Sequence, residues 1–138
     1  MARTIGIDPG VKRCGIAISD SDHTMAFPRP ALANDDQLMD TLRALIDDEG
    51  ATTIVVGRPV ALSGNETAST LSADQLYQRL IEAFGDLDVI QWDERLTTYE
   101  AQRSLAQAGI RAKAQREHID SAAAVIMLQN YVDGLSAD

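Results

Sequence analysis

A mixed α/β fold, with one sheet and helices on both of its faces, follows from three features of this 138-residue chain. Two short alternating apolar runs open it, separated by a Pro-Gly turn. Further on, β-branched runs alternate with segments whose leucines recur at helical spacing. No linker, repeat or low-complexity stretch divides the chain, so residues 1–138 are expected to form one domain. The element order reads β-β-β-α-β-α-β-α-α, with an antiparallel opening hairpin and parallel strands wherever a helix crosses over.

Each element has a local reason. Thr4-Ile5-Gly6-Ile7-Asp8 is short and alternating, and Pro9-Gly10 turns it toward a second strand, Cys14 to Ser19. Met25 to Leu32 is interrupted by Pro28 and Pro30, which predicts a short strand at an edge. Asn34 is placed to cap a helix whose first turn holds Asp35 and Asp36; Leu38, Leu42, Leu45 and Ile46 form its stripe, and Gly50 ends it. Thr53 to Gly57 is a β-branched run too short for a helix. A loop from Arg58 to Glu66 leads to a helix from Thr67 to Phe84, read from Leu71, Leu76, Leu80 and Phe84. Leu87 to Trp92 is the fifth strand. Thr97-x-x-Glu100 is a capping box opening a helix that ends at Gly109. The last helix runs from about Glu117 to Val132, with Ala123, Met127 and Tyr131 on one stripe.

Composition narrows the function. Hydrophobic residues make up 45% and charged residues 24%, an ordinary globular balance. Aromatics are only 4%, which disfavours a base-stacking platform. No run approaches the roughly 18 apolar residues of a membrane helix, and the first residues lack a secretory h-region. The single cysteine, Cys14, excludes an internal disulfide or a cysteine zinc cage. A cytoplasmic protein that avoids membranes is the expectation.

The net charge of −9 argues against polyanion binding over the whole surface. Within residues 95–118, however, Arg95, Arg103, Arg111, Lys113 and Arg116 outweigh Glu100 and Glu117, a local +3. Such a cluster is either a solvated helix face or a local phosphate-binding surface.

The acids at element ends are either plain surface carboxylates or the groups that carry the chemistry. Asp8 ends the first strand, and Glu94 follows the fifth. Parallel strands bring their carboxyl ends to one edge, where open α/β sheets place ligands. Glu100 already serves the capping box, whereas Glu94 has no evident local role. Asp120 heads the stripe of the last helix, either as its N-cap or as a third site carboxylate; Ala122, Ala123 and Ala124 would let that helix approach closely. Carboxylates without His or Cys partners suit hard cations such as Mg²⁺ or Mn²⁺. Two such ions can activate water and stabilise the leaving oxygen in phosphodiester cleavage. The Gly turn after a first strand also occurs in actin-like ATPases, but those require two such domains and a longer chain.

Three blocks closely resemble the YqgF/RuvX family, Holliday-junction-resolvase-like candidate pre-16S rRNA nucleases. They are Gly6 to Asp20 (GIDPGVKRCGIAISD), Asp93 to Ala101 (DERLTTYEA) and Ile119 to Gln129 (IDSAAAVIMLQ), in family order across nearly the whole chain. The resemblance implies an RNase H-like fold with the first strand central. It implies a divalent-metal nuclease site whose acidic triad maps onto Asp8, Glu94 and Asp120. One block departs: where the family has Leu-Pro-Leu-Asn-Met-Asp-Gly, this chain has Arg58-Pro59-Val60-Ala61-Leu62-Ser63-Gly64. Arg58 is thus either a substitute phosphate contact or a surface residue without a role.

The expected activity is metal-dependent hydrolysis of structured nucleic acid by Asp8, Glu94 and Asp120 with Mg²⁺ or Mn²⁺. Lys12, Arg13, Arg58, Arg95, Arg111, Lys113 and Arg116 are the candidate substrate contacts. The resemblance implies either 5′-end processing of pre-16S rRNA or cutting of four-way DNA junctions, the latter requiring a homodimer. A non-catalytic module binding RNA or a ribosome-assembly partner is the reading of a different class.

Overall fold

The computed structural model describes residues 3–59, 63–94 and 121–136. Five strands form one sheet in the order β3-β2-β1-β4-β5. The strands are β1 (Arg3–Asp8), β2 (Arg13–Ser19), β3 (Ala26–Ala33), β4 (Ala51–Arg58) and β5 (Asp88–Asp93). β1 pairs antiparallel with β2 and parallel with β4, β2 pairs antiparallel with β3, and β4 pairs parallel with β5. The sheet is therefore mixed, with β1 at its centre. The described helices are α1 (Leu38–Glu49), α2 (Ala68–Ala83) and α3 (Ala122–Ser136). The expected helix from Thr97 to Gly109, and the first residues of the helix expected from Glu117, lie outside the described residues.

The two sheet faces are covered differently. Ile5, Ile7, Ile16, Ile18, Ile54 and Val56 project to one face, where they pack with Leu38, Leu42 and Ile46 of α1 and with Leu76, Leu80 and Phe84 on and just past α2. The strand alternation sends Gly6, Asp8, Ala17, Val55 and Gly57 to the other face, where α3 lies with Ala124, Val125, Leu128 and Val132 buried. Small residues permit that approach: a Cβ on Gly6 would come within 3.0 Å of the Leu128 Cβ and 3.5 Å of the Ala124 carbonyl oxygen.

Four local expectations are corrected. Asn34 does not cap α1, which starts at Leu38 behind Gln37 without a side-chain cap. Its Nδ2 instead donates to the Gly10 carbonyl at 2.8 Å and its backbone N–H to Lys12 at 2.9 Å, holding the β1–β2 turn. Leu71 is exposed, because five residues separate it from Leu76 and carry it about 140° round the helix; Thr70 and Ala73 take the buried positions. Ala123 likewise faces outward, and Ala124 and Leu128 form the buried stripe of α3. Finally, β3 is not short. It is an edge strand, as expected, but eight residues long. Its place at the edge of the sheet tolerates Pro28 and Pro30, and the register with β2 shifts where Pro30 lies, between the Cys14–Leu32 and Ile16–Arg29 pairs.

Gly50 closes α1 in the left-handed conformation with φ 71°. Thr67 caps α2 through a reciprocal box with Thr70, whose hydroxyl also donates to the Pro59 carbonyl. That bond ties the segment after β4 to the helix that follows it.

Candidate active site

Asp8 is the last residue of β1, and Glu94 directly follows β5. Between these strands runs β4, parallel to both, so the two acids emerge on the same sheet edge from either side of one strand. They meet because that strand carries Gly57 at the crossing. A Cβ on Gly57 would sit 2.6 Å from Glu94 Oε1 and 3.1 Å from Met127 Sδ. The absent side chain leaves the space through which Glu94 reaches Asp8.

The electrostatics register the meeting. Burial, a hydrogen bond to Asp8 and the negative charges of Asp8 and Asp93 push the Glu94 carboxyl up to about 8. Glu94 thus holds its proton toward Asp8, as an acid beside a negative charge does. Trp92, paired with Gly57 across β4–β5, stacks edge-on against Tyr131 with ring centroids 5.7 Å apart.

This donor set fits a divalent cation. The oxygens are hard, and Glu94 holds a proton that a cation would displace. Among the described residues, no cluster of three or more His, Cys, Asp or Glu side chains suited to a metal is found. The third expected acid, Asp120, lies outside the described residues, directly before Ser121.

The expected substrate contacts divide. Lys12 and Arg13 are exposed in and beside the β1–β2 turn, on the same edge as Asp8. Gly10 makes that turn possible, since a Cβ there would strike the Arg13 carbonyl oxygen at 2.2 Å. Arg58 is committed elsewhere: its Nε donates to Asp74 at 2.9 Å, and its Nη2 donates to Asp74 at 3.2 Å and Glu66 at 3.1 Å. Gln91 of β5 donates to the same Asp74 at 2.6 Å. Two acids thus hold the Arg58 guanidinium against α2. Arg95, Arg111, Lys113 and Arg116 lie outside the described residues.

Cys14 is buried, and desolvation pushes its thiol up, which makes it inert. His23 sits in the β2–β3 turn, at the opposite end of the sheet, with its Nε2 3.2 Å from the Thr4 hydroxyl. Sequence reasoning missed Gly57. The available signal was a glycine at the end of a β-branched strand, a common mark of close approach by another group.

The chain is similar to several known proteins. The family described as RuvX, Holliday junction resolvase, matches residues 2–134. A relative from Mycolicibacterium paratuberculosis is 43% identical over 133 residues, spanning 95% of this chain and 80% of that protein. One from Geobacillus thermodenitrificans is 38% identical over 135 residues, spanning 95% of this chain and 97% of that protein. Both are named as candidate pre-16S rRNA nucleases. RuvC of Thermus thermophilus, solved in complex with Holliday junction substrate, aligns with a TM-score of 0.61 at 15% identity, over 99% of this chain and 97% of that one. Fowlpox virus resolvase, solved with Holliday junction DNA, aligns with a TM-score of 0.61 at 11% identity, over 96% of this chain and 98% of that one. At such identities the two structures speak to the fold, which is the resolvase, RNase H-like one. Matched over nearly its whole length by the family and by close relatives, the chain belongs to the RuvX family of Holliday junction resolvases.

Proposed function

We propose that the chain is a divalent-metal-dependent endonuclease that hydrolyses phosphodiester bonds in structured RNA, trimming the 5′ end of pre-16S rRNA. The observation that carries this reading is the meeting of Asp8 and Glu94 over Gly57 at the carboxyl edge of the sheet. A protein that only binds nucleic acid gains nothing from two half-buried acids facing a phosphate. Asp8, Glu94 and Asp120 would hold Mg²⁺ or Mn²⁺. When bound, such a cation activates water for attack on phosphorus and stabilises the departing oxygen.

The protein's own groups do the rest. Asp8, on the central strand, supplies a rigidly placed oxygen. Glu94 keeps its proton beside the negative charge of Asp8, and a bound cation would favour its release. Lys12 and Arg13 approach the phosphate backbone from the turn beside Asp8. Arg95, Arg111, Lys113 and Arg116 would extend that contact along the substrate, confining positive charge to one face of an acidic molecule. Arg58 braces the segment after β4 through Asp74 and Glu66.

Cutting of four-way DNA junctions is the second reading, favoured by the fold shared with two junction-bound resolvases. It requires a homodimer, because two strands must be cut together. A cleavage assay in Mn²⁺ and Mg²⁺ separates the readings. Its substrates are an RNA carrying the 5′ leader of 16S rRNA, a four-way DNA junction and a linear duplex. The rRNA reading expects the leader RNA to be cut fastest by a monomer. Preferential cutting of the junction by a dimer overturns it.

A further inference from the structure

Of the five strands, β5 has the least to hold it in place. It lies at an edge and pairs with β4 alone. None of its residues is fully buried, whereas each of the other four strands buries at least one. Yet Glu94 leaves from its end, and must do so level with Gly57 to reach Asp8. Strand alternation divides the last residues between two faces. Trp92 and Glu94 turn to the face under α3, where Trp92 stacks on Tyr131. Gln91, in register with Val56, turns to the face under α2, and so does Arg58 at the end of β4.

On that second face one carboxylate of α2 binds both strands. Asp74 Oδ1 accepts from Gln91 Nε2 at 2.6 Å and from Arg58 Nε at 2.9 Å, and its Oδ2 accepts from Arg58 Nη2 at 3.2 Å. The Arg58 guanidinium first, and Gln91 after it, hold the Asp74 carboxyl below the ordinary carboxylate range, so it stays ionised at neutral pH. An isolated surface ion pair contributes little, whereas a bidentate arginine whose carboxylate is shared with a third group has a fixed geometry. Helix, β4 and β5 are thereby locked together three residues before Glu94. A similar bidentate pair, Arg43 with Asp86, ties α1 to the turn before β5, at the opposite edge of the sheet.

We propose that Asp74 is a positioning residue of the cation site: by gripping Arg58 and Gln91 together from α2, it fixes the end of β5 against β4 and so the place from which Glu94 crosses Gly57 to meet Asp8. This rests on the reading that Glu94 and Asp8 hold the cation. Asp74 acts through Glu94, from the other face of the sheet.

Calorimetric titration of Mn²⁺ into the full chain tests this. Wild type, Asp74→Ala, Gln91→Leu, the double variant, Asp86→Ala and Glu94→Gln are compared at a temperature where circular dichroism shows each folded. Asp74→Ala and Asp86→Ala each break an arginine pair of α2 or its end, and both lower Tm. The expected result is that Mn²⁺ affinity falls about tenfold in Asp74→Ala, as for other residues that orient a metal ligand, and stays at the wild-type value in Asp86→Ala. Gln91→Leu removes the β5 half of the clamp without changing charge. It carries the same expectation as Asp74→Ala, and stands in for it should that variant fail to fold. The double variant is expected to lose no more than either single one, because both break one clamp. Wild-type affinity in Gln91→Leu overturns the proposal, since the loss in Asp74→Ala would then be one of charge. An equal loss in Asp86→Ala overturns it too, as would losses that simply multiply in the double variant. A wild type that binds no Mn²⁺, or a Glu94→Gln that binds it undiminished, overturns the reading of the site beneath it.

Discussion

Glu94 concentrates the consequences of this fold in one carboxyl group. Its folded pKa of about 8 stands well above its ordinary value of 4.5. Between those two pH values the folded protein keeps a proton that the unfolded chain releases. Stability of the metal-free protein must therefore fall as pH rises from about 4.5 to about 8. The carboxyls of Glu49, Asp74 and Asp20 are shifted downward by their partners, so their stabilising effect is lost only below that window. Urea unfolding in chelator at pH 5, 6.5 and 8 is expected to show the decline, and Glu94→Gln to flatten it. A wild-type curve already flat over that window would contradict the close acid pair. Gly57 belongs to the same scale. Gly57→Ala places a methyl group where Glu94 Oε1 now lies, and is expected to weaken Mn²⁺ binding by about tenfold or more while leaving the far-UV spectrum unchanged.

At the scale of elements, α3 is the part most sensitive to small changes. It lies on Gly6 so closely that a methyl group there meets Leu128 at 3.0 Å. Gly6→Ala is expected to cost about 1–3 kcal/mol by overpacking, read from the urea midpoint. A neutral effect would mean that α3 can lift away freely. The elements were also where the sequence was most and least legible. Strands β1, β2 and β4 are short apolar runs with one pattern each, and Gly50 ends α1 by a purely local rule. Asn34 was misread because a capping rule sees only neighbours in the chain, while its partner Gly10 lies 24 residues away. Leu71 was misread because apolarity was counted without its angle around the helix. Asp8 and Glu94 stood out singly as acids at strand ends. Their contact depends on which strands flank β4, and only the family resemblance supplied that order.

For the whole molecule, the central strand makes the two faces interdependent. β1 contributes Ile5 and Ile7 to the core under α1 and α2, and Gly6 and Asp8 to the face under α3. Residues 1–138 are proposed to form one domain, so unfolding should be cooperative. The single tryptophan, Trp92, reports on the α3 face through Tyr131. Its fluorescence and the far-UV signal are expected to change together in urea, and separated transitions would contradict a single unit. No described helix is long and apolar enough to cross a membrane. The acidic charge, spread outside the basic segment at 95–118, is expected to keep substrate binding local and steeply salt-dependent.

The central claim is that Asp8 and Glu94 form a metal-dependent cleavage site. Its most direct test is a time course of RNA-leader and four-way-junction cleavage in Mn²⁺, with wild type and Asp8→Asn run side by side and both shown to be folded. Cleavage by the wild type that vanishes in Asp8→Asn and in chelator is the result expected. Undiminished cleavage by a folded, pure Asp8→Asn would contradict the claim.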